Sequence, residues 1–353
     1  MNYSLKDQLK VVAPRLSADL VSTEALSHIY TLAQILPPLS NAILECRLGT
    51  SASRLDLSVP LPNSAINLPE SILIHPVWRR CQNLSQDLAD AKSSLHQRVN
   101  TIWLEFDVDG EPSNLPIPCI GLHLNQEAAC DFQSLREIAL NLLEHPLSSH
   151  LESNLHLCFE ALPAEAKILF IGAALSRQSE AVRLVISGIP PAQFSAYLAH
   201  IGWSGSVNEL EEVISSISGL VDNIILSFDI ADTVFPRIGL ECYLTGQAED
   251  EPRWQLFLDH LVTTGLCTPA KRNALLGWLG YEQKALKRAF QFGQKIWNRV
   301  QNAATSVGSL VGAHKSEKHP GVNIFSRFTI CTKIVYQPGI PLEAKGYLGL
   351  WHD

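Results

Sequence analysis

In the segment Ile43-Leu44-Glu45-Cys46-Arg47 a carboxylate and a guanidinium share one side of an alternating run. A carboxylate placed this way can take a proton from a group that becomes cationic. A guanidinium beside it can grip an oxyanion through its forked donors. The same alternation returns along the chain. Arg54, Asp56 and Ser58 lie opposite an apolar set, as do Trp103, Glu105 and Asp107, and then Cys119, Gly121 and His123. Arg183 and Ser187 follow, with Ser227 and Asp229, then Arg237, Gly239, Glu241 and Tyr243. Thr329, Cys331 and Lys333 precede Lys345, Tyr347 and Trp351. Arg47, Arg54, Arg183, Arg237, Lys333 and Lys345 therefore fall on one common parity. Two readings of that face stay open. It is the solvated side of an open sheet, its charges interleaved with acids. Or it lines a polar cavity whose bases hold an anion, because unpaired charges are too costly in a packed core. Glu45 and Arg47 carry the same alternatives: an inter-strand ion pair, or a base next to an anion holder.

These side chains need strands to fix their direction, and the period of the sequence supplies them. Ile43–Gly49 and Arg54–Leu61 alternate apolar and polar residues around a turn-like break at 50–53, the pattern of a hairpin with one apolar face. Hairpins are likewise expected at 103–108 with 117–124, 167–175 with 181–189, 223–230 with 237–244, and 328–336 with 344–351. Helical spacing fills the intervals. Residues 15–36 read as a helix stopped by Pro37 and Pro38, and 77–98, 131–144, 151–161, 191–201, 207–219, 252–265 and 269–279 read as further helices. Recurrence of this kind dictates architecture. The expected fold is α/β, α+β with antiparallel strands: five units of helix plus hairpin in a single domain over 1–353. An insertion at about 281–325 precedes the last hairpin. Ten such strands lose their edges by closing into a barrel with helices outside and polar faces inside.

The chain of 353 residues has 46% hydrophobic content and a formal charge of −8. That is enough apolar material for a large core, and the acidic balance argues against nucleic acid as partner. No run is long and apolar enough for a membrane span, and the first residues do not read as a secretory signal. Eight cysteines stand singly with no C-x-x-C pair. They read as small buried hydrophobes of a cytoplasmic protein rather than as a zinc site.

The order of elements resembles that of the ABBA prenyltransferases, or PT-barrel enzymes, over residues 15–353. The segment LFIGAALSRQSEAVRLVISGIPPAQFSAYL, at 169–198, is similar in layout to the cyanobactin peptide prenyltransferases. The resemblance implies a ten-stranded barrel that moves an isoprenoid group from an allyl diphosphate to a peptide side chain or a small aromatic or amine acceptor. It implies that Glu45 takes the acceptor's proton and that Arg47, Arg54, Arg183, Arg237, Lys333 and Lys345 hold the diphosphate. Tyr243 and Tyr347 would shield the allyl cation. Trp103, Glu105, Asp107, His123, Asp229 and Glu241 would line the acceptor's side. The acids depart from a plain diphosphate cage. They suit a cationic acceptor, or magnesium bridging to the diphosphate. The alternatives are a non-catalytic barrel that binds an anionic small molecule or a peptide, and an open-sheet scaffold for partner proteins.

Other motifs carry less. Glu105-x-Asp107-x-Asp109-Gly110 resembles the start of a calcium loop, but its twelfth position is Pro116. A strand ending in an Asp-Gly turn fits better. No phosphate-binding glycine loop, nucleophile elbow or H-E-x-x-H occurs. His145, His150 and His156 read as surface residues. Residues 281–299 read as a basic helix with a solvated face, and 305–323 as a mobile cover for a barrel mouth.

Overall fold

The computed structural model describes residues 4–37, 39, 41–49, 55–108, 115–128, 130–177, 180–283 and 324–352. The expected basic helix beyond 283, the cover at 305–323, the turns at 50–53 and 109–110, and Arg54 lie outside the described residues.

The strands are β1 (Asn41–Arg47), β2 (Leu55–Pro60), β3 (Val99–Asp107), β4 (Cys119–Leu124), β5 (Lys167–Ala173), β6 (Val182–Ser187), β7 (Asn223–Ile230), β8 (Val234–Tyr243), β9 (Gly280–Gln283), β10 (Ile324–Gln337) and β11 (Ile340–His352). β1 to β8 pair antiparallel in chain order. β10 pairs with both β8 and β11, and β11 returns to β1. Ten strands therefore close a ring, which removes the open-sheet reading. The short β9 was not expected. It pairs only with the outer end of β10, Gly280 opposite Arg327 and Gln283 opposite Ile324.

Period-two alternation sends one set of side chains outward. Leu44, Leu57, Leu104, Leu122, Leu184 and Leu240 are all 0% exposed, and each such burial contributes about 1.5–3 kcal/mol. The helices that cover them bring apolar residues at three- and four-residue spacing. In α4 (Pro76–Ala89) these are Trp78, Cys81, Leu84 and Leu88, and in α10 (Arg253–Thr263) Trp254, Phe257, Leu258 and Leu261.

Of two long helices expected from the sequence, one is shortened and the other is broken in two. Residues 15–36 hold α2 only over Thr23–Leu32, after a separate α1 at Leu5–Val12. Pro14 cannot continue the first helix, and the Ser22 hydroxyl accepts from the Ala25 N–H to start the second. Residues 77–98 hold α4 and then α5 (Ser94–Arg98). At the break the Asp90 carboxylate accepts from the Lys92 N–H and Ser93 caps α5.

One contact outside the ring fixes the working end of β1. α11 (Pro269–Leu276) buries Lys271, whose Nζ donates to the Arg47 carbonyl at 2.9 Å and the Gly49 carbonyl at 2.8 Å. The Thr268 N–H adds a bond to the Leu48 carbonyl at 3.0 Å. The backbone that presents Arg47 is thus held from behind by a helix more than two hundred residues away in sequence.

Candidate active site in the barrel lumen

Outward side chains on the strands are almost wholly covered. Inward ones such as Trp103, Glu105, Arg183, Asp229, Tyr243 and Tyr347 keep intermediate exposure. Inside a closed ring that exposure belongs to an accessible space along the barrel axis.

An ionic network forms one wall. Glu45 on β1 stands directly opposite Asp56 on β2 and Tyr347 on β11. Like charges facing one another across strands repel, and Arg47 resolves this by bridging them. Its Nη1 donates to Glu45 Oε1 at 3.0 Å and to Asp56 Oδ2 at 2.8 Å, and its Nε reaches Glu343 Oε1 at 2.7 Å. Lys345 Nζ also donates to Glu45 Oε1, with Asp56 Oδ2 3.9 Å away. Lys333 and Lys345 are direct register partners, two like charges again. Lys333 turns instead to Glu241 Oε1 at 3.1 Å, whose other oxygen accepts from the Tyr243 hydroxyl at 3.2 Å.

The remaining candidates take other places. Arg183 grips Asp229 with two parallel bonds, Nε to Oδ1 at 2.7 Å and Nη2 to Oδ2 at 3.0 Å. Arg237 lies toward the rim, 45% exposed along its side chain, and meets Glu343 Oε2 at 3.8 Å. Asp107 opposes Asp56 at the exposed end of β3. His123 has the inward parity but is 0% exposed, its ring stacked on Phe170 at 4.6 Å between centroids. Its register partner Phe170 lies against it, and no part of the ring is accessible. Thr329 was expected inward, but a bulge between Thr329 and Cys331 shifts the parity. Phe328 takes that side and packs on Trp351 at 5.5 Å.

Sequence reasoning passed over two features. Glu343 joins Arg47 to Arg237, and its parity with Lys345 would have located it. A small apolar cluster also sits inside the ring: Leu169 and Ile225, with Phe170, Val185 and Tyr243 against them. The strand 167–173 is apolar on both faces, which was its signal.

Gly239 makes room for the Lys333–Glu241 pair. A Cβ there would collide with Lys333 Cε and Ser227 Oγ. Gly239→Val is expected to destabilise the fold by about 1–3 kcal/mol through overpacking. Gly121→Ala, whose nearest contact would be the Trp103 Cβ at 3.8 Å, should be close to neutral. Denaturant unfolding of both variants checks this.

Burial opposes ionisation of Glu45, but the Lys345 and Lys333 ammoniums outweigh it and hold its carboxyl well below the usual carboxylate range. Asp56 moves the other way. Burial and the Glu45 charge push it up to about 7, against the pull of Arg47 and Lys345. Burial also keeps the Tyr243 and Tyr347 phenols protonated far above their usual range, and nearby acidic groups add to it. Carboxylate oxygens of Glu45, Asp56 and Glu105 lie within 4.8 Å of one another, a donor set suited to one hard cation. Arg47 and Lys345 already sit on two of them, so such an ion would enter in competition with these bases.

A ring of ten antiparallel strands, coated by helices and polar within, is the fold of the ABBA prenyltransferases. The apo form of the prenyltransferase PriB superposes with a TM-score of 0.55 at 14% identity, over 98% of this chain and 96% of its own. 5-Dimethylallyltryptophan synthase from Streptomyces coelicolor gives 0.50 at 13% identity, over 99% and 98%. PriB in its binary complex with product diphosphate gives 0.53 at 14%, over 98% and 96%. No protein-family model matches the chain, and no curated protein matches it significantly in sequence. The likeness is therefore one of fold. No helix among the described residues is long and apolar enough to cross a membrane.

Proposed function

We propose that this protein transfers an isoprenoid group from an allyl diphosphate to an aromatic or amine-bearing acceptor, a peptide side chain being the finer form of that acceptor. The observation that carries the reading is the wall where Arg47, Lys345 and Lys333 converge beside two phenols inside a PT-barrel. Diphosphate oxygens would replace carboxylates on these bases, with Arg54 and Arg183 further candidates for the same anion. The allyl C–O bond breaks with its electron pair leaving on the diphosphate. Tyr243 and Tyr347 face the resulting cation with their rings. The inner cluster of Leu169, Ile225, Phe170 and Val185 supplies an apolar bed for the isoprenoid tail. Where magnesium accompanies the diphosphate, Glu45, Asp56 and Glu105 are the residues that would hold it. Trp103, Glu105, Asp229 and Glu241 remain for the acceptor, whose proton goes to the acidic cluster. The resemblance points first to Glu45 within that cluster.

Among the described inward residues acids outnumber bases. Glu45, Asp56, Glu105, Asp107, Asp229, Glu241 and Glu343 stand against Arg47, Lys167, Arg183, Arg237, Lys333 and Lys345. That excess favours an acceptor that itself carries positive charge, such as a guanidinium or an ammonium.

Calorimetric titration with dimethylallyl and geranyl diphosphates, with and without magnesium, is expected to show saturable binding. Mass spectrometry should then show prenylated product from tryptophan or from an arginine- or lysine-bearing peptide. Binding without product from any acceptor would leave a non-catalytic anion-binding barrel. Absence of binding by every allyl diphosphate would end the prenyl-transfer reading.

A further inference from the structure

A second cavity lies outside the lumen, at the far end of the strands from the ionic wall. The wall reaches β3 at Asp107, opposite Asp56, whereas the cavity lies at the other end of that strand, where Val99 pairs with Leu124. Nine residues of β3 put about 26 Å between the two ends. Thr101 and His123, the inward pair nearest the cavity, are both 0% exposed. Covered side chains therefore stand between this cavity and Trp103.

The cavity holds about 350 Å³, a volume that suits a small ligand. Its apolar lining comes from separate pieces of chain. Leu124 closes β4 and Ile168 opens β5, Ile138 stands on α6 (Phe132–Leu143), Phe159 on α7 (Ser149–Glu160), and Leu162 just beyond α7. Polar contacts fix these walls. Gln126 Nε2 donates to the Leu124 carbonyl at 3.2 Å and the Ile168 carbonyl at 3.0 Å, which ties the two strand ends together. The Asp131 carboxylate accepts from the Ser134 N–H at 2.8 Å and starts α6. The space is thus framed by elements that are each anchored on their own.

The charged residues of the lining are Arg98 and Lys167, and no acid among the described residues lines it. Arg98 Nη1 meets Glu137 Oε2 at 2.5 Å, with the arginine side chain 29% exposed. A guanidinium has five donors, so Arg98 keeps several for a second anion. Lys167 is exposed and makes no ion pair among the described residues. With Glu137 set against Arg98, the cavity keeps one net positive charge. We propose that it is a second binding site, which takes a small amphiphile with an apolar body and a single carboxylate. The body lies against Leu124, Ile138, Phe159, Leu162 and Ile168, and the carboxylate meets Lys167 and the open side of Arg98. One negative charge matches the net charge of the lining, whereas a diphosphate would bring more charge than the site offsets. The site stands whether or not the lumen transfers a prenyl group.

Cys130 lines the same cavity and is the one exposed cysteine of the eight, which gives a readout independent of activity. The test is alkylation of Cys130 by iodoacetamide, followed by mass spectrometry, in the presence of octanoate or octanol. Octanoate should slow the reaction saturably, by about fivefold once its concentration is about four times its Kd. Octanol should protect much less. Lys167→Ala should weaken octanoate about tenfold or more, the effect of losing a hydrogen bond to a charged group, and leave octanol unchanged. Ala128→Phe, which places a ring in the space from its rim, should remove protection by both. Calorimetric titration with octanoate should give the same Kd when geranyl diphosphate is present. Octanol that protects as well as octanoate, or Lys167→Ala that binds octanoate like wild type, overturns the carboxylate assignment. Octanoate that never protects Cys130, or that geranyl diphosphate displaces, overturns the site itself.

Discussion

Lys345→Ala is expected to weaken the binding of an isoprenoid diphosphate by about 1.5–3 kcal/mol, the range for hydrogen bonds to charged groups. Lys345 is 8% exposed, donates to Glu45 and stands opposite Lys333 in the ladder. A diphosphate that displaces Glu45 from this ammonium meets a second one on the neighbouring strand. Removing Lys345 deletes half of that pair. It also leaves Glu45 with Arg47 as its one contacting cation among the described residues, so the anion meets a more negative wall. Arg237→Ala gives the contrast. Its guanidinium lies at the rim and faces Glu343 at 3.8 Å. Solvent screens such a group, and the loss there should stay at or below about 1 kcal/mol. Calorimetric titration of the two variants with geranyl diphosphate checks the order. Equal losses at both positions would contradict a binding wall centred on β10 and β11.

Glu45→Gln is expected to slow turnover on the order of a hundredfold while leaving diphosphate affinity equal or slightly tighter. Two effects act together. The Glu45 charge is one reason Asp56 holds its proton up to about 7, so the neutral amide makes the acidic cluster a weaker base. The amide also releases Lys345 and part of Arg47 to the diphosphate. Anion holding and proton removal thus separate in one variant. Single-turnover kinetics alongside titration measures both quantities, and a parallel loss of affinity and rate would show that Glu45 does not divide them.

The pH dependence of folding follows from the same two groups. The folded-state pKa of Glu45 is depressed, so its contribution is present above the ordinary glutamate range and is lost as pH falls below it. Asp56 is raised from 3.8 to about 7, so folded protein binds the extra proton and Asp56 costs stability progressively as pH rises through that window.

What the chain determined by itself was parity. In a strand, successive side chains point to opposite sides for local steric reasons. The alternation in Glu45-Cys46-Arg47 or Lys345-Gly346-Tyr347 therefore separates the two faces before any partner strand is known. The change of period between helices and hairpins was local too, and so was the repeat that leads to a ring. Tertiary structure decided the rest. Whether Lys333 faces Lys345 or an acid depends on register, and register depends on turns and on a bulge at Thr329–Cys331 that the alternation does not reveal. That bulge turns Thr329 away and brings Phe328 onto Trp351. His123 shares the parity of Gly121 yet is wholly covered, its ring against that of its register partner Phe170, and alternation does not tell which inward residues are covered. Glu343, Arg47 and Arg237 form one chain of contacts across three strands distant in sequence. The proton affinity of Asp56 is the furthest from the sequence of all. It depends on burial and on how Glu45, Arg47 and Lys345 are shared around it, and only the closed ring brings those charges together.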